Sequence, residues 1–175
     1  MNFELRIGMS GILQAFVLGS LMCGGAFAGT LPAPQSDILL TVEGDIVNTN
    51  TEGRAEFDMA LLQTLPTVTI RTNTIWTEGV QEFRGVQLSD LLEAVGAQGD
   101  MIYATAVNDY AIEIPVSDGV DGGPIIAYQQ NGQQMSVRTQ GPLWLVYPYD
   151  ANAAYQSEVI YSRSIWQLVR MDISD

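Results

Sequence analysis

Arg71, Thr72, Asn73, Thr74 and Trp76 crowd into one short stretch, TVTIRTNTIW. A guanidinium, hydroxyl and amide groups and an indole suit one kind of ligand. That ligand is a flat, electron-rich ring with heteroatoms on its edge, which stacks on the indole and accepts from the arginine. The alternating run before these residues reads as a strand and the polar cluster as the loop leaving it, where binding groups usually sit. The plainer reading is a core tryptophan beside an arginine whose stem lies on apolar surface and whose head reaches water. The stretch by itself allows both.

Two further clusters have the same double character. Asn108 and Asp109 are turn formers between two apolar runs. Alternatively, Asp109 presents a carboxylate that accepts two parallel N–H bonds from a ligand edge while Tyr110 packs alongside. Such a site rejects analogues that lack the paired donors. Tyr161-Ser162-Arg163-Ser164 leads into the last strand, and Arg163 between hydroxyls suits an oxyanion or a polar ring edge. It is equally a surface arginine at a strand start. Trp144, Tyr147, Tyr149 and Trp166 add aromatic surface, of which strand alternation sends about half to the core.

Catalysis by side chains alone has little to work with. The chain has no histidine, and its one cysteine is Cys23. Zinc and copper sites, Ser-His-Asp triads and haem ligation thereby lose their usual groups. No pair of carboxylates stands out for work on sugars. Asp118 and Asp121 in SDGVDGG offer oxygen ligands for Ca²⁺, yet their spacing does not fit the calcium loop; the segment reads as a flexible glycine loop.

The net charge is −13 and every basic residue is arginine. So acidic a body is repelled by phosphate backbones and anionic membranes, which argues against nucleic-acid partners. Residues 1–28 read as a cleaved secretory signal: Arg6, an apolar run from Ile7 to Phe27, and a small-x-small ending at Ala26-Phe27-Ala28. An uncleaved anchor is the other reading, and the glycines in the run disfavour it. Met22 before Cys23 disfavours a lipoprotein. Cleavage leaves an exported protein without cysteine, expected as a single domain over residues 29–175.

The elements that must position these groups follow from periodicity. A first strand is expected over Ile38–Val42, and a short helix in EFDMALLQTLP with Asp58 as its N-cap. The Thr67–Thr72 strand comes next. FRGVQLSDLLEAVGAQG reads as the best helix, with Leu88, Leu91, Leu92 and Val95 on one face and Gly96 as its C-terminal cap. MIYATAV, YAIEIPV, PLWLVYP and SIWQLVRMDI read as strands, and PIIAYQQNGQQMSV as a hairpin turning at Asn131-Gly132. The whole is a strand-rich α+β domain with two short helices near its start.

The sequence resembles the oxidoreductase molybdopterin-binding domain, the sulfite-oxidase-like fold, from about Ile38 onwards. Phe83-Arg84-Gly85-Val86-Gln87-Leu88-Ser89-Asp90-Leu91-Leu92 is similar to the family's aromatic-x-Gly-Val-x-Leu-x-Asp-Leu-Leu segment. Gly141-Pro142-Leu143-Trp144 is similar to its Gly-x-Pro-Leu-Arg strand, and Ser162-Arg163-Ser164-Ile165-Trp166 to its Ala-Arg-Ser-Val-Lys segment. The resemblance implies mixed sheets with short helices. It also exposes departures. Where the enzymes carry a molybdenum-ligating cysteine after an arginine, this chain has Thr72 after Arg71. Trp144 and Trp166 stand where the resemblance expects cations for the cofactor phosphate.

A pterin ring could still be held where the metal and the phosphate tail have lost their partners. The resemblance then points to small exported, cysteine-free members of this fold that bind pterins as signals. These act with the periplasmic sensor regions of membrane-bound cyclic-di-GMP enzymes. It implies a pocket of Arg71, Thr72, Trp76, Asp109, Tyr110 and Arg163, a pterin without molybdenum as ligand, and no catalytic residues. The alternative is a molybdopterin-dependent oxidoreductase that lacks the usual cysteine. Catalytic dimers of the wider family carry an additional dimerisation domain, so a monomer is expected here.

Overall fold

A computed structural model describes Met1 and residues 31–175, so the expected signal falls, apart from Met1, outside the described residues. Two five-stranded sheets are built from short, mostly amphipathic segments. The first sheet contains β1 (Leu40–Gly44), β2 (Arg54–Phe57), β5 (Met101–Ala106), β6 (Ala111–Pro115) and β10 (Leu168–Ser174), in the order β2-β1-β10-β5-β6. Only the β1–β10 pair is parallel; its other pairs are antiparallel, which makes the sheet mixed. Leu40, Val42, Phe57, Ile102, Ile114 and Met171 point inward and are fully buried, while Thr41, Glu43, Tyr103 and Arg170 stay on the other, wetter face. This is the period of two that an antiparallel sheet with one solvated face requires.

The second sheet contains β3 (Thr67–Thr72), β4 (Gln81–Gln87), β7 (Ile125–Gln130), β8 (Gln133–Gln134) and β9 (Trp144–Val146). It runs β3-β4-β7, and β8 and β9 pair with different ends of β7. Ile125, Ile126, Ala127 and Tyr128 are buried in succession, as befits a strand covered on both faces. Asn131 and Gly132 take the positive φ values of 49° and 75° that the β7–β8 reversal demands.

Helix α1 (Met59–Leu62) is capped as expected: the Asp58 carboxylate accepts from the Leu61 N–H at 2.8 Å. Its other oxygen accepts from the N–H groups of Gln35 and Ser36 at 2.7 and 2.9 Å, tying down the lead into β1. The Leu61 N–H, with the Gln35 N–H second, holds the Asp58 carboxyl down at about 2.

Five expectations need correction. The helix α2 spans only Leu88–Val95, ending at Gly96 with φ 63°. The five residues before it, Phe83–Gln87, are strand. The 3.6-residue period starts at Leu88, whereas Gly85 runs so close to β7 that a Cβ there would strike the Ile126 carbonyl. A third helix, α3 (Glu158–Arg163), lies where the approach to a strand was expected; Ser157 caps it, its Oγ accepting from the Ile160 N–H at 3.4 Å. The last strand therefore opens at Leu168, and the first is displaced to Leu40–Gly44. The segment read as a loose glycine loop begins with a 3₁₀ turn, Val116–Asp118, whose Asp118 carboxylate is firmly held.

Candidate functional site

Four segments distant in sequence meet at one cleft. The loop after β3 supplies Trp76, the β5–β6 turn supplies Asn108 and Tyr110, the end of α3 supplies Tyr161 and Ser162, and the link into β10 supplies Trp166. The cleft measures about 280 Å³. Trp76 is the hub of its aromatic wall. Its ring meets Trp166 at 5.6 Å and 84°, Tyr161 at 5.9 Å and 86°, Trp144 at 5.7 Å and 66°, and Tyr149 at 6.4 Å and 65°. Edge-to-face packing of this kind fixes ring planes, which a flat ligand can then exploit.

Behind the wall, Ser164 ties the segments together. Its hydroxyl accepts from the Tyr149 O–H at 2.6 Å and donates to the Ile160 carbonyl at 2.8 Å, while its own carbonyl accepts from the Trp144 indole N–H at 3.1 Å. Burial is the larger influence on Tyr149 and pushes its hydroxyl up to about 12. The Val107 N–H donates to the Gln167 carbonyl at 2.9 Å, so the turn and the β10 approach hold each other. In the turn, the Asp109 N–H reaches the Ala106 carbonyl at 3.0 Å and the Tyr110 N–H the Asn108 side-chain oxygen at 3.3 Å.

The structure brings together two of the six expected site residues: Trp76 and Tyr110 line this cleft. Asp109 does not. It sits at the left-handed φ of 62° and, with Val107, lines a second, more polar cleft beside Arg54, Glu43 and Arg170. Neighbours along the turn thus face opposite sides, and Asn108 takes the inward place. Arg163 ends α3 with its guanidinium on Asp118, Nη1 lying 2.9 and 3.2 Å from the two carboxylate oxygens. The Tyr147 O–H also donates to Asp118, at 2.7 Å, and burial, followed by that bond, raises the Tyr147 pKa.

Arg71 and Thr72 are successive residues of β3 and point to opposite sides: Arg71 is exposed opposite Glu82, and Thr72 is wholly buried. The Thr72 hydroxyl accepts from the Asp150 N–H at 3.1 Å and donates to the Asn73 carbonyl at 3.2 Å. Asp150 returns the contact, its carboxylate accepting from the Asn73 backbone and side-chain N–H groups at 2.7 and 2.8 Å. The start of the RTNTIW loop is therefore locked to the turn after β9.

The positions that the resemblance assigns to cofactor contacts are engaged within the protein. At the position the resemblance assigns to the thiolate, the oxygen of Thr72 is hard, uncharged and already engaged. Trp144, where a phosphate-binding arginine would stand, is fully buried in the aromatic packing.

Comparison with known proteins agrees with this architecture. The family described as the oxidoreductase molybdopterin binding domain matches residues 30–155. Among solved structures, the sulfane dehydrogenase SoxCD from Paracoccus pantotrophus is similar in fold, with a TM-score of 0.57 and 22% identity over 78% of this chain. The match spans 38% of the SoxCD chain. No curated protein sequence matches.

Proposed function

Since the chain belongs to the oxidoreductase molybdopterin-binding domain family, we propose that it binds a pterin ring, without molybdenum, in the aromatic cleft. The observation that carries this reading is the Trp76–Trp166 corner, backed by Tyr161, in a cleft that Tyr110 also lines. A volume of about 280 Å³ lies near the lower end of small-molecule sites, roughly 300–1,000 Å³. It favours a bicyclic ring over a larger, tailed cofactor.

In this reading the protein is a periplasmic, non-catalytic receptor that reports occupancy to the sensor region of a membrane cyclic-di-GMP enzyme. The leader-like residues 1–28 support export. The exposed rings of Tyr110 and Trp166, both on the cleft, support a partner at its mouth.

Titration with 6-hydroxymethylpterin, followed by tryptophan fluorescence, tests the ligand. Saturable one-site quenching is expected, and it should be lost in Trp166→Ala. No saturation up to about 1 mM, the range of the weakest specific binding, would remove the reading. Pterin-dependent co-purification with the sensor region tests the partner, and capture unaffected by pterin would contradict the reporting role.

A further inference from the structure

We infer that the cleft selects an uncharged ring and rejects ligands that carry a carboxylate or phosphate. This rests on the ring-binding reading above and defines its ligand class.

Among the described residues, every side chain lining the cleft is uncharged. The cation nearest in sequence is Arg163, flanked by the lining residues Ser162 and Ser164. Its charge is already committed. Asp118 takes the guanidinium at 2.9 Å and is itself fixed by the Tyr147 hydroxyl at 2.7 Å. Arg54 and Arg170 line the other cleft, each 3.9 Å from a glutamate.

An anion entering the aromatic cleft would lose hydration without gaining a counter-charge, inside a protein of net charge −13. A neutral edge fares better. The Asn108 oxygen accepts from the Tyr110 N–H at 3.3 Å, which leaves its NH₂ to donate. The Ser162 hydroxyl donates to the Val159 carbonyl at 2.7 Å, which leaves its lone pairs to accept.

The test compares two probes of similar size, 6-hydroxymethylpterin and 6-carboxypterin, by calorimetry on the whole protein. The neutral probe should bind roughly tenfold or more tightly, with an affinity that salt does not change. Ser162→Arg, which adds a cation at the cleft, should narrow the gap. Equal or tighter binding of 6-carboxypterin would overturn the selectivity while leaving ring binding intact. An unchanged gap in Ser162→Arg would overturn charge as its cause. Binding of neither probe would remove the ring-binding reading, and this inference with it.

Discussion

The indoles of Trp76 and Trp166 meet edge to face, centroids 5.6 Å apart and planes at 84°, forming a corner of the aromatic cleft. The two residues carry different loads. Trp76 also packs on Trp144, Tyr149 and Tyr161, whereas Trp166 remains 38% exposed. Trp76→Ala is expected to lose ligand and also about 3 kcal/mol of stability, the low end for an aromatic truncation. Trp166→Ala should lose ligand with under about 1.5 kcal/mol of destabilisation. Urea unfolding beside ligand titration separates the two; equal stability losses would contradict this division of roles.

Arg163 and Asp118 are joined across two chain segments, with side chains only 22% and 16% exposed. Arg163→Gln should cost about 1–3 kcal/mol, since a charged, largely covered hydrogen bond is lost. Pterin affinity should stay within about threefold, the scale of an indirect effect. A tenfold loss of affinity at unchanged stability would instead put the guanidinium on the ligand.

Thr72→Val keeps the shape of a buried side chain and removes its hydroxyl. The Asp150 N–H would lose its partner, at a cost of about 1–2 kcal/mol. The Asp150 carboxylate still holds Asn73, so ligand affinity should change little. Stability equal to wild type would show that the hydroxyl does not lock the loop.

Asp58 sets a pH dependence. Its folded pKa of about 2 lies below the ordinary 3.8, so its stabilisation is present above about pH 4 and fades as pH falls towards 2. The stability difference between wild type and Asp58→Asn should therefore shrink across that interval. A difference independent of pH from 5 to about 2 would contradict the proposed cap chemistry.

Much of the fold was legible because its signals are local. The bounds of β3 follow from period-two alternation after Pro66, the start of α1 from an N-cap aspartate, and the β7–β8 turn from Asn131-Gly132. The short α3 was hidden because six residues make fewer than two helical turns, too few for a periodic face, and its local marks were only Ser157, Glu158 and Arg163 at its ends. The site was legible in composition more than in membership. An aromatic, polar-edged pocket could be read from Trp76 and Tyr110. Arg163 takes a partner 45 residues away, and the φ of 62° at Asp109 turns that carboxylate to the far cleft. Asn108 and Trp166 both stood in named clusters; nothing local said that they, and not Asp109 and Arg163, face inward.

The most direct test of the central claim is native mass spectrometry of the protein purified from a cofactor-competent host, with molybdenum assayed on the same sample. One bound mass of pterin size and no molybdenum is the predicted result. Molybdenum at one per chain would contradict it, and would make the protein an oxidoreductase that manages with Thr72 in place of a thiolate.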